Sequence, residues 1–513
     1  MGEVKSGIVR TARERRWVYS RQRWKQGIAA CSILGLCLLL LLASATGREY
    51  PPSVPLPQPW VLPLPATRSL PNGLRVVVIE RRSLPLLTLR LVVKAGAAAD
   101  PKDLPGVASL TAGVITEGTI HREALTIGAE VDSAGGMLDT AADWDKSVIV
   151  FSVPSHHAEL AFDLLSDIVI YPAFAVAEVE RQRKQTLSAL DVVRSDPAYV
   201  ADNVFRQVIF SRTPYSHPSD GFPEAVRRMR PEDLRLFHTA HYRPENAILA
   251  VIGDISAEEA LSRAEKFFGD WKGKSEVSPK APDAASPSPP PGRQILVIDK
   301  PDAVQTEIRI GNLGVGRDSP DYEALSLANQ ILGGPAANRL FQTLRTQRGL
   351  TYGASSELVA HRGMGAWIAK TSTRTPETIK AIQLAMEQMR LLRDHSLAEG
   401  ELESARSYLI GHRAVEFETP EARAGEFSNL MLQGLPLGYW NEFPGKIRTI
   451  SADEVWQATR RYLEPEANVI VLVGNAAAFK KDLKKLGRFR VISMQELNLN
   501  PYGVGQSNDP EGN

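Results

Sequence analysis

Two short clusters of histidine and glutamate have residue types and spacing that could bind a metal. The clusters are His238/His241/Glu245 and His156/His157/Glu159. Residues three positions apart on a helix share a face and can bind one ion. However, His241 leads into a segment that closes a helix before a strand, and His156 and His157 stand at a predicted helix start. We therefore interpret these histidines as solvated or core residues.

A second candidate is the pair Arg345 and Tyr352, which flanks a predicted turn. The pattern predicts a helix over residues 337 to 348, a C-terminal cap at Gly349 and a strand that starts at Leu350. Arg345 and Tyr352 then meet across a tight turn. The helix dipole alone favours a basic residue there, by about 0.3–1 kcal/mol, and Arg348 satisfies this explanation equally well. Tyrosine is also common in strands, so these patterns leave the role of the pair open.

The charge balance excludes nucleic acid as an expected ligand. The chain has 513 residues, with 60 Lys and Arg against 59 Asp and Glu. Eight of the basic residues lie in residues 1–26, so the remainder is mildly acidic. Binding to phosphates needs a concentrated basic surface, which this pattern does not offer. The two cysteines, Cys31 and Cys37, both lie in an apolar segment, so no disulfide is expected in the rest of the chain.

The N-terminal segment is typical of export. Residues 27–46 carry no charge and follow a basic leader. Ala43-Ser44-Ala45 is a pattern that signal peptidases cut, while a length of about 20 residues also suffices to span a bilayer. Both interpretations place most of the chain outside the cytoplasm, and an organelle presequence is a weaker alternative. We expect a bacterial protein at the inner membrane facing the periplasm, or a periplasmic one after cleavage.

Composition divides the remaining chain into two halves of about 200 residues. Two proline-dense stretches predict an extended stalk and a flexible linker. The expected segments are a basic cytoplasmic leader (1–26), a transmembrane or signal segment (27–46), a stalk (47–66), a first domain (67–273), a linker (274–294), a second domain (295–493) and a disordered tail (494–513).

The two halves look like repeats of one another. The segment from Tyr242 to Gly253 is echoed by the segment from Tyr462 to Gly474, with an aromatic residue and a proline before an apolar strand in each. Strands with period-2 patterns alternate with amphipathic helices in both halves. We therefore predict an α/β (α+β) protein of two homologous domains, each a mostly antiparallel sheet covered by helices.

An ordered set of motifs resembles the pitrilysin/insulinase family of zinc metallopeptidases over residues 67–490. The set comprises Leu70-Pro-Asn-Gly-Leu-Arg-Val-Val-Val78, Ala95-Gly96, Gly106-Val-Ala108, Glu117-Gly-Thr119, Gly135-Gly136, Pro172-Ala-Phe174 with Glu178, and Tyr242-x-Pro-x-Asn246. No single motif is specific for this family. Their order along the chain, together with the duplication, is a strong indication of it. The resemblance implies that the two domains form half of a clam-shell chamber.

The zinc apparatus of that family is missing here. Active members carry His-x-x-Glu-His on a helix and a third ligand, a glutamate, about 76 residues further on. The aligned positions in this chain are Ser109, Ala112, Gly113 and Ala189. None of them offers an imidazole or a carboxylate. We expect no metal bound by this chain, and zinc in a partner subunit.

The other half of the family's active site is present. The resemblance implies that Arg345 binds the substrate main chain and that Tyr352 donates its hydroxyl to the developing oxyanion. Gly333 and Gly334 resemble a flexible glycine-rich loop that takes up extended peptides. Trp144 is interpreted as a packing residue.

The leading hypothesis is therefore a membrane-associated, zinc-less subunit of a heteromeric metallopeptidase that acts on unfolded or short peptides. Its partner would be a zinc-bearing homologous subunit. The alternative is a non-catalytic, membrane-tethered peptide-binding or scaffold protein. An autonomous metalloenzyme would require metal in the purified chain.

Overall fold

A computed structural model describes residues 60–273, 292–335 and 338–500. The predicted leader, the apolar segment and most of the predicted stalk and linker lie outside these residues. Among the described residues, no helix is both long and apolar enough to cross a membrane.

The first half contains a mixed sheet and the helices that cover it. Its strands are β1 (Ala66–Ser69), β2 (Arg75–Glu80), β3 (Leu86–Val93), β4 (Met137–Ala142), β5 (Ser147–Pro154) and β6 (Ala247–Gly253). Its helices are α1 (Val107–Val114), α2 (Ala124–Ser133), α3 (Ala158–Ile170), α4 (Val176–Val193), α5 (Pro197–Ile209), α6 (Pro223–Arg228), α7 (Pro231–His241) and α8 (Ala257–Phe268).

The second half repeats this plan. Its strands are β7 (Gln294–Asp299), β8 (Gln305–Gly314), β9 (Ala354–Ala360), β10 (Gly365–Arg374), β11 (Val469–Gly474) and β12 (Phe489–Ser493). Its helices are α9 (Tyr322–Gly333), α10 (Arg339–Phe341, continued as a π-helix over Gln342–Gln347), α11 (Thr378–Asp394), α12 (Glu399–Glu416), α13 (Pro420–Gln433), α14 (Tyr439–Thr449), α15 (Ala452–Tyr462) and α16 (Ala476–Leu483).

The sheet topology confirms the predicted duplication and fold class. The strand orders are β1-β2-β6-β3-β5-β4 and β12-β7-β11-β8-β10-β9. Apart from the first strand named in each order, the strands occupy equivalent positions in the two sheets. Most neighbouring strands are antiparallel, while three pairs are parallel: β2 with β6, β7 with β11 and β7 with β12. The apolar runs that follow Tyr242 and Tyr462 become β6 and β11, which are buried throughout, as expected for central strands.

One helix of each half packs on the sheet of the other half. Helix α5 lies on β8 and β11, and α13 lies on β3 and β6. Arg309 on β8, only 4% exposed, donates from Nε to Asp202 Oδ1 on α5 at 2.6 Å. Lys146 of the first half donates to Asn429 Oδ1 on α13 at 2.7 Å. Each sheet is therefore covered on both faces, and residues from Trp60 onward form one compact unit.

Both ends of the described chain pack on this body. Leu62, within the predicted stalk, is buried, and its backbone N–H and C=O bond the side chain of Asn441 at 2.8 and 2.9 Å. Leu499, within the predicted tail, is also buried. The compact fold thus extends beyond the predicted domain boundaries by several residues at each end.

Candidate functional site

Helix α1 carries three of the four positions that align with the family's zinc motif. The helix begins after Gly106, which has φ +98°, a conformation that glycine adopts readily. The partly buried carboxylate of Asp100 accepts hydrogen bonds from the backbone N–H groups of Gly106 at 2.5 Å and Ala108 at 3.0 Å. Burial raises the pKa of Asp100 well above its usual range, although these two hydrogen bonds oppose the shift. Two hydrogen bonds to the Asp100 carboxyl group therefore hold the start of the helix.

The side chains at the motif positions do not fit a zinc ion. Ser109 Oγ donates to Asp220 Oδ1 at 2.9 Å, and Ala112 is buried. Gly113 packs against α4, where a Cβ would lie 2.9 Å from Gln182 Nε2. Ala189, also on α4, is exposed. Zinc needs nitrogen, sulfur or carboxylate ligands, and these four side chains supply none.

The neighbouring carboxylates do not replace the missing ligands. Glu117, after α1, and Glu178, on α4, both pair with Arg181, at 2.5 and 2.8 Å. Across the part of the chain that the structure describes, no group of three or more His, Cys, Asp or Glu side chains is placed to hold a metal.

Sequence reasoning missed Gln182 and Asp220 as neighbours of the motif positions. Gln182 stands seven residues, or about two helical turns, before Ala189, so helical periodicity could have placed both on one face of α4. Asp220 lies in the loop after α5, and no local pattern indicated its contact with Ser109.

His238, His156 and His157 make local contacts, and His241 is partly buried. His238 donates from Nε2 to the carbonyl of Val169 at 2.8 Å. Burial lowers the pKa of His241 to about 4, with a smaller contribution from the nearby Arg243. His156 and His157 contact each other at 4.1 Å between ring centroids, in the short turn before α3.

Arg345 and Tyr352 lie on either side of the predicted helix end, but they do not pair with each other. Gly349 has φ +60°, and the N–H groups of Gly349 and Leu350 bond back to the carbonyls of Arg345 and Leu344, at 3.0 and 2.8 Å. The Gly349 bond is the single bond expected of an αL glycine cap. The Leu350 bond reaches one residue further back than in a Schellman motif, and it follows the π-helical turn over Gln342–Gln347. However, β9 starts at Ala354, not at Leu350 as we predicted.

The strand starts later because side chains bond the intervening backbone. Thr351 Oγ1 accepts from Gly353 N–H at 3.1 Å, and Thr373 Oγ1 donates to the carbonyl of Leu350 at 2.7 Å. Tyr352 therefore projects from a turn and is 85% exposed. Arg345 is exposed as well, with its guanidinium carbon 4.8 Å from the Phe341 ring centroid.

Gly333 and Gly334 are more tightly packed than a flexible loop would require. Gly333 is the last residue of α9, and a Cβ there would collide with Ser356 on β9. A Cβ on Gly334 would collide with Gln330. Close packing therefore explains why both are glycine. Residues 336 and 337, in the connection that follows, lie outside the described residues.

Family models match both halves of the chain. A model described as insulinase (peptidase family M16) matches residues 75–218, and a model described as peptidase M16 inactive domain matches residues 228–409. The chain belongs to peptidase family M16. This confirms the resemblance that the ordered motifs indicated.

Individual relatives of this M16 protein span most of its length. An uncharacterized zinc protease of Mycobacterium leprae is 28% identical over 343 residues, which are 67% of this chain and 77% of the relative. The non-peptidase homolog YmxG of Helicobacter pylori is 24% identical, and the match covers 80% of this chain and 94% of the relative. The crystal structure of a peptidase M16 inactive domain from Pseudomonas fluorescens is 27% identical with a TM-score of 0.74, covering 80% of this chain and 98% of that one.

Proposed function

We propose that this M16 chain is the zinc-less subunit of a heteromeric zinc metallopeptidase. A homologous partner subunit would carry the zinc-binding motif. This chain would supply Arg345 and Tyr352 for binding the substrate and stabilising its oxyanion. The substrates would be unfolded or short peptides.

The observation that carries this proposal is the contrast between the two parts of the site. The four positions that the resemblance aligns with the zinc motif carry no zinc-binding side chain, while α1 and α4 pack together. Arg345 and Tyr352 are exposed, and within the described residues neither side chain has a hydrogen bond or an ion pair. Polar groups that are unengaged in their own chain are available to a substrate or a partner.

The chemistry open to this chain is electrostatic. The Tyr352 hydroxyl would donate to a peptide carbonyl oxygen as that oxygen gains negative charge. One such donor in a site that excludes water is typically worth about 2.7–4 kcal/mol of barrier. Arg345 would hold the peptide main chain through its several N–H donors. Metal chemistry would have to come from the partner, because no zinc-binding group of side chains is found among the described residues of this chain.

An unpaired strand edge supports peptide binding. Strand β4 is the last strand of the first sheet, so one of its edges has no neighbouring strand among the described residues. It lies beside α1, where Thr140 Oγ1 donates to the carbonyl of Ala112 at 2.7 Å. Extended peptides can add to such an edge through main-chain hydrogen bonds. A peptide bound there would lie next to the degenerate zinc motif.

We further propose that the protein is exported and associated with the membrane through residues 27–46. The support is the uncharged apolar segment after a basic leader. The compact body would then face the periplasm, whether the segment is cleaved or retained.

Affinity purification from solubilised membranes tests this function. The account predicts that a zinc-bearing M16 homologue co-purifies in stoichiometric amount and that the complex hydrolyses peptides. Purification of an inactive, zinc-free chain without such a homologue would contradict it. Zinc bound stoichiometrically to this chain alone would also contradict it.

A second candidate function is a non-catalytic peptide-binding or scaffold protein. The observation that favours it is the match to a relative named a non-peptidase homolog over 94% of that relative. Under this function, substitution of Arg345 and Tyr352 would leave every peptidase activity unchanged.

A further inference from the structure

A cavity of 330 Å³ lies at the seam between the two halves. Helix α5 supplies Tyr199 and Arg206 to its wall, and the loop after α5 supplies Asp220. Glu357 on β9 and Lys370 on β10 also line it, and the remaining polar residues of the lining are Asp202, Asn203, Ser219 and His361. Pockets for small molecules usually enclose about 300–1,000 Å³, so this cavity suits a small ligand.

Arg206 presents an unmatched positive charge to this cavity. Its guanidinium carbon lies 3.6 Å from the Trp144 ring centroid, and Nη1 lies 3.2 Å from His361 Nε2. Within the described residues, no carboxylate lies within ion-pair distance of it. Burial lowers the pKa of Arg206 to about 10, and the more distant Asp202 and Glu357 only partly offset this shift. A guanidinium has five N–H donors, and the His361 ring can accept from only one of them.

Asp220 presents an unmatched negative charge to the same cavity. Its carboxylate accepts from Ser109 Oγ, but no Lys, Arg or His side chain of the described chain pairs with it. The other carboxylates of the lining are already paired. Asp202 binds Arg309 at 2.6 Å, and Glu357 binds Lys370 at 2.7 Å. One cation and one anion are thus left without a charged partner in one cavity.

We propose that this cavity binds a short zwitterionic peptide of about two residues. The carboxylate would bind the Arg206 guanidinium, whose planar N–H groups match a carboxylate in pairs. The ammonium would bind Asp220. Apolar side chains of the ligand would contact the rest of the lining, which includes Phe205, Phe210, Val359 and Ile368. This site goes beyond the proposed peptidase role because it needs neither a partner subunit nor zinc.

Calorimetric titration of the isolated full-length protein with leucyl-leucine tests the proposal. We expect saturable binding with one site per chain. The C-terminal amide and the N-acetyl derivative each remove one charge, and each should bind roughly tenfold more weakly, since each loses a charge-assisted hydrogen bond. Absence of saturable binding, or equal affinity for all three ligands, would overturn the proposal.

The Asp220→Asn variant tests whether the ammonium group of the ligand binds to Asp220. Asp220 is exposed, so this substitution does not disturb the core. It should weaken leucyl-leucine at least roughly tenfold but leave the N-acetyl derivative unaffected. Asp103→Asn, at another exposed aspartate outside the cavity, is the matched control and should change neither affinity. An Asp220→Asn variant with the affinity of the wild type would refute the site.

Discussion

Asp167 is the central residue of a charge cluster in the first half. It is 5% exposed and accepts hydrogen bonds from Thr119 Oγ1 at 2.8 Å, Arg122 Nη1 at 2.7 Å and His121 Nδ1 at 2.5 Å. Burial alone would raise its pKa, but the hydrogen bonds from His121, Arg122 and Thr119 outweigh burial, and the pKa lies below its usual value. Asp163 and Glu130 also pair with Arg122, so the guanidinium retains partners if Asp167 is lost.

We predict that Asp167→Asn lowers the free energy of unfolding by about 2 kcal/mol at pH 7. Because the folded-state pKa is depressed, the ionised Asp167 stabilises the fold above its unfolded pKa of about 3.9, and this stabilisation is lost as pH falls through the folded pKa. Urea unfolding of the wild type and of Asp167→Asn, at pH 7 and at successively lower pH, measures the difference in their free energies of unfolding. A stability difference that stays constant as the medium is acidified below pH 4 would contradict the assignment.

The residues of the candidate site show what a sequence can predict at this scale. Ser109, Ala112, Gly113 and Ala189 could be aligned with the zinc motif because that motif is local and ordered, and this alignment stays a prediction. The neighbours that now contact those positions, Gln182 and Asp220, were not, because α4 and the loop after α5 approach α1 only in the folded chain. The sequence also did not indicate the unmatched charge of Arg206. That charge depends on the folded positions of the Asp and Glu side chains around it.

At the scale of elements, the end of α10 was predicted better than the strand that follows. The glycine cap is encoded locally, and Gly349 has the expected positive φ. The start of β9 was wrong by four residues because side chains of Thr351 and Thr373 bond the backbone of the turn. Arg345 and Tyr352 consequently face solvent without meeting.

We predict that Gly349→Ala destabilises the protein by about 1 kcal/mol, because a residue with a Cβ is strained at φ +60°. No atom lies within 4 Å of the added Cβ, so the cost is conformational only. Gly128→Ala, within α2 and equally open, is the matched control and should stabilise by about 0.5–1 kcal/mol. Thermal unfolding measures both, and equal effects of the same sign would contradict this account.

At the scale of the whole molecule, the sequence did not predict that α5 and α13 each pack on the sheet of the other half. We call this arrangement the exchange of the two helices. Each helix has an apolar face, and the pattern does not say which sheet that face will cover. The repeat itself was predicted because equivalent strands and helices recur in order. The structure confirms two homologous α/β halves. It also packs them into one compact unit from Trp60 onward, which the sequence did not indicate.

This exchange predicts that neither half folds alone. Residues 67–273 and 295–493, expressed separately, would each leave one face of a sheet uncovered and expose its apolar residues to water. We expect both fragments to be aggregated or unfolded by circular dichroism and to fold when co-expressed. Cooperative unfolding of either isolated half would contradict this prediction.

The central claim is that this M16 chain supplies part of a peptidase site whose metal belongs to a partner. The most direct measurement is the rate of peptide hydrolysis by a heteromer reconstituted with its zinc-bearing homologue. Tyr352→Phe should lower kcat by about 100–1,000-fold, the usual effect of removing one oxyanion donor. Arg345→Ala should raise KM, while Arg348→Ala, at an exposed arginine on the same helix end, should change neither constant. Full activity with Tyr352→Phe, or from the zinc-bearing subunit alone, would contradict the account.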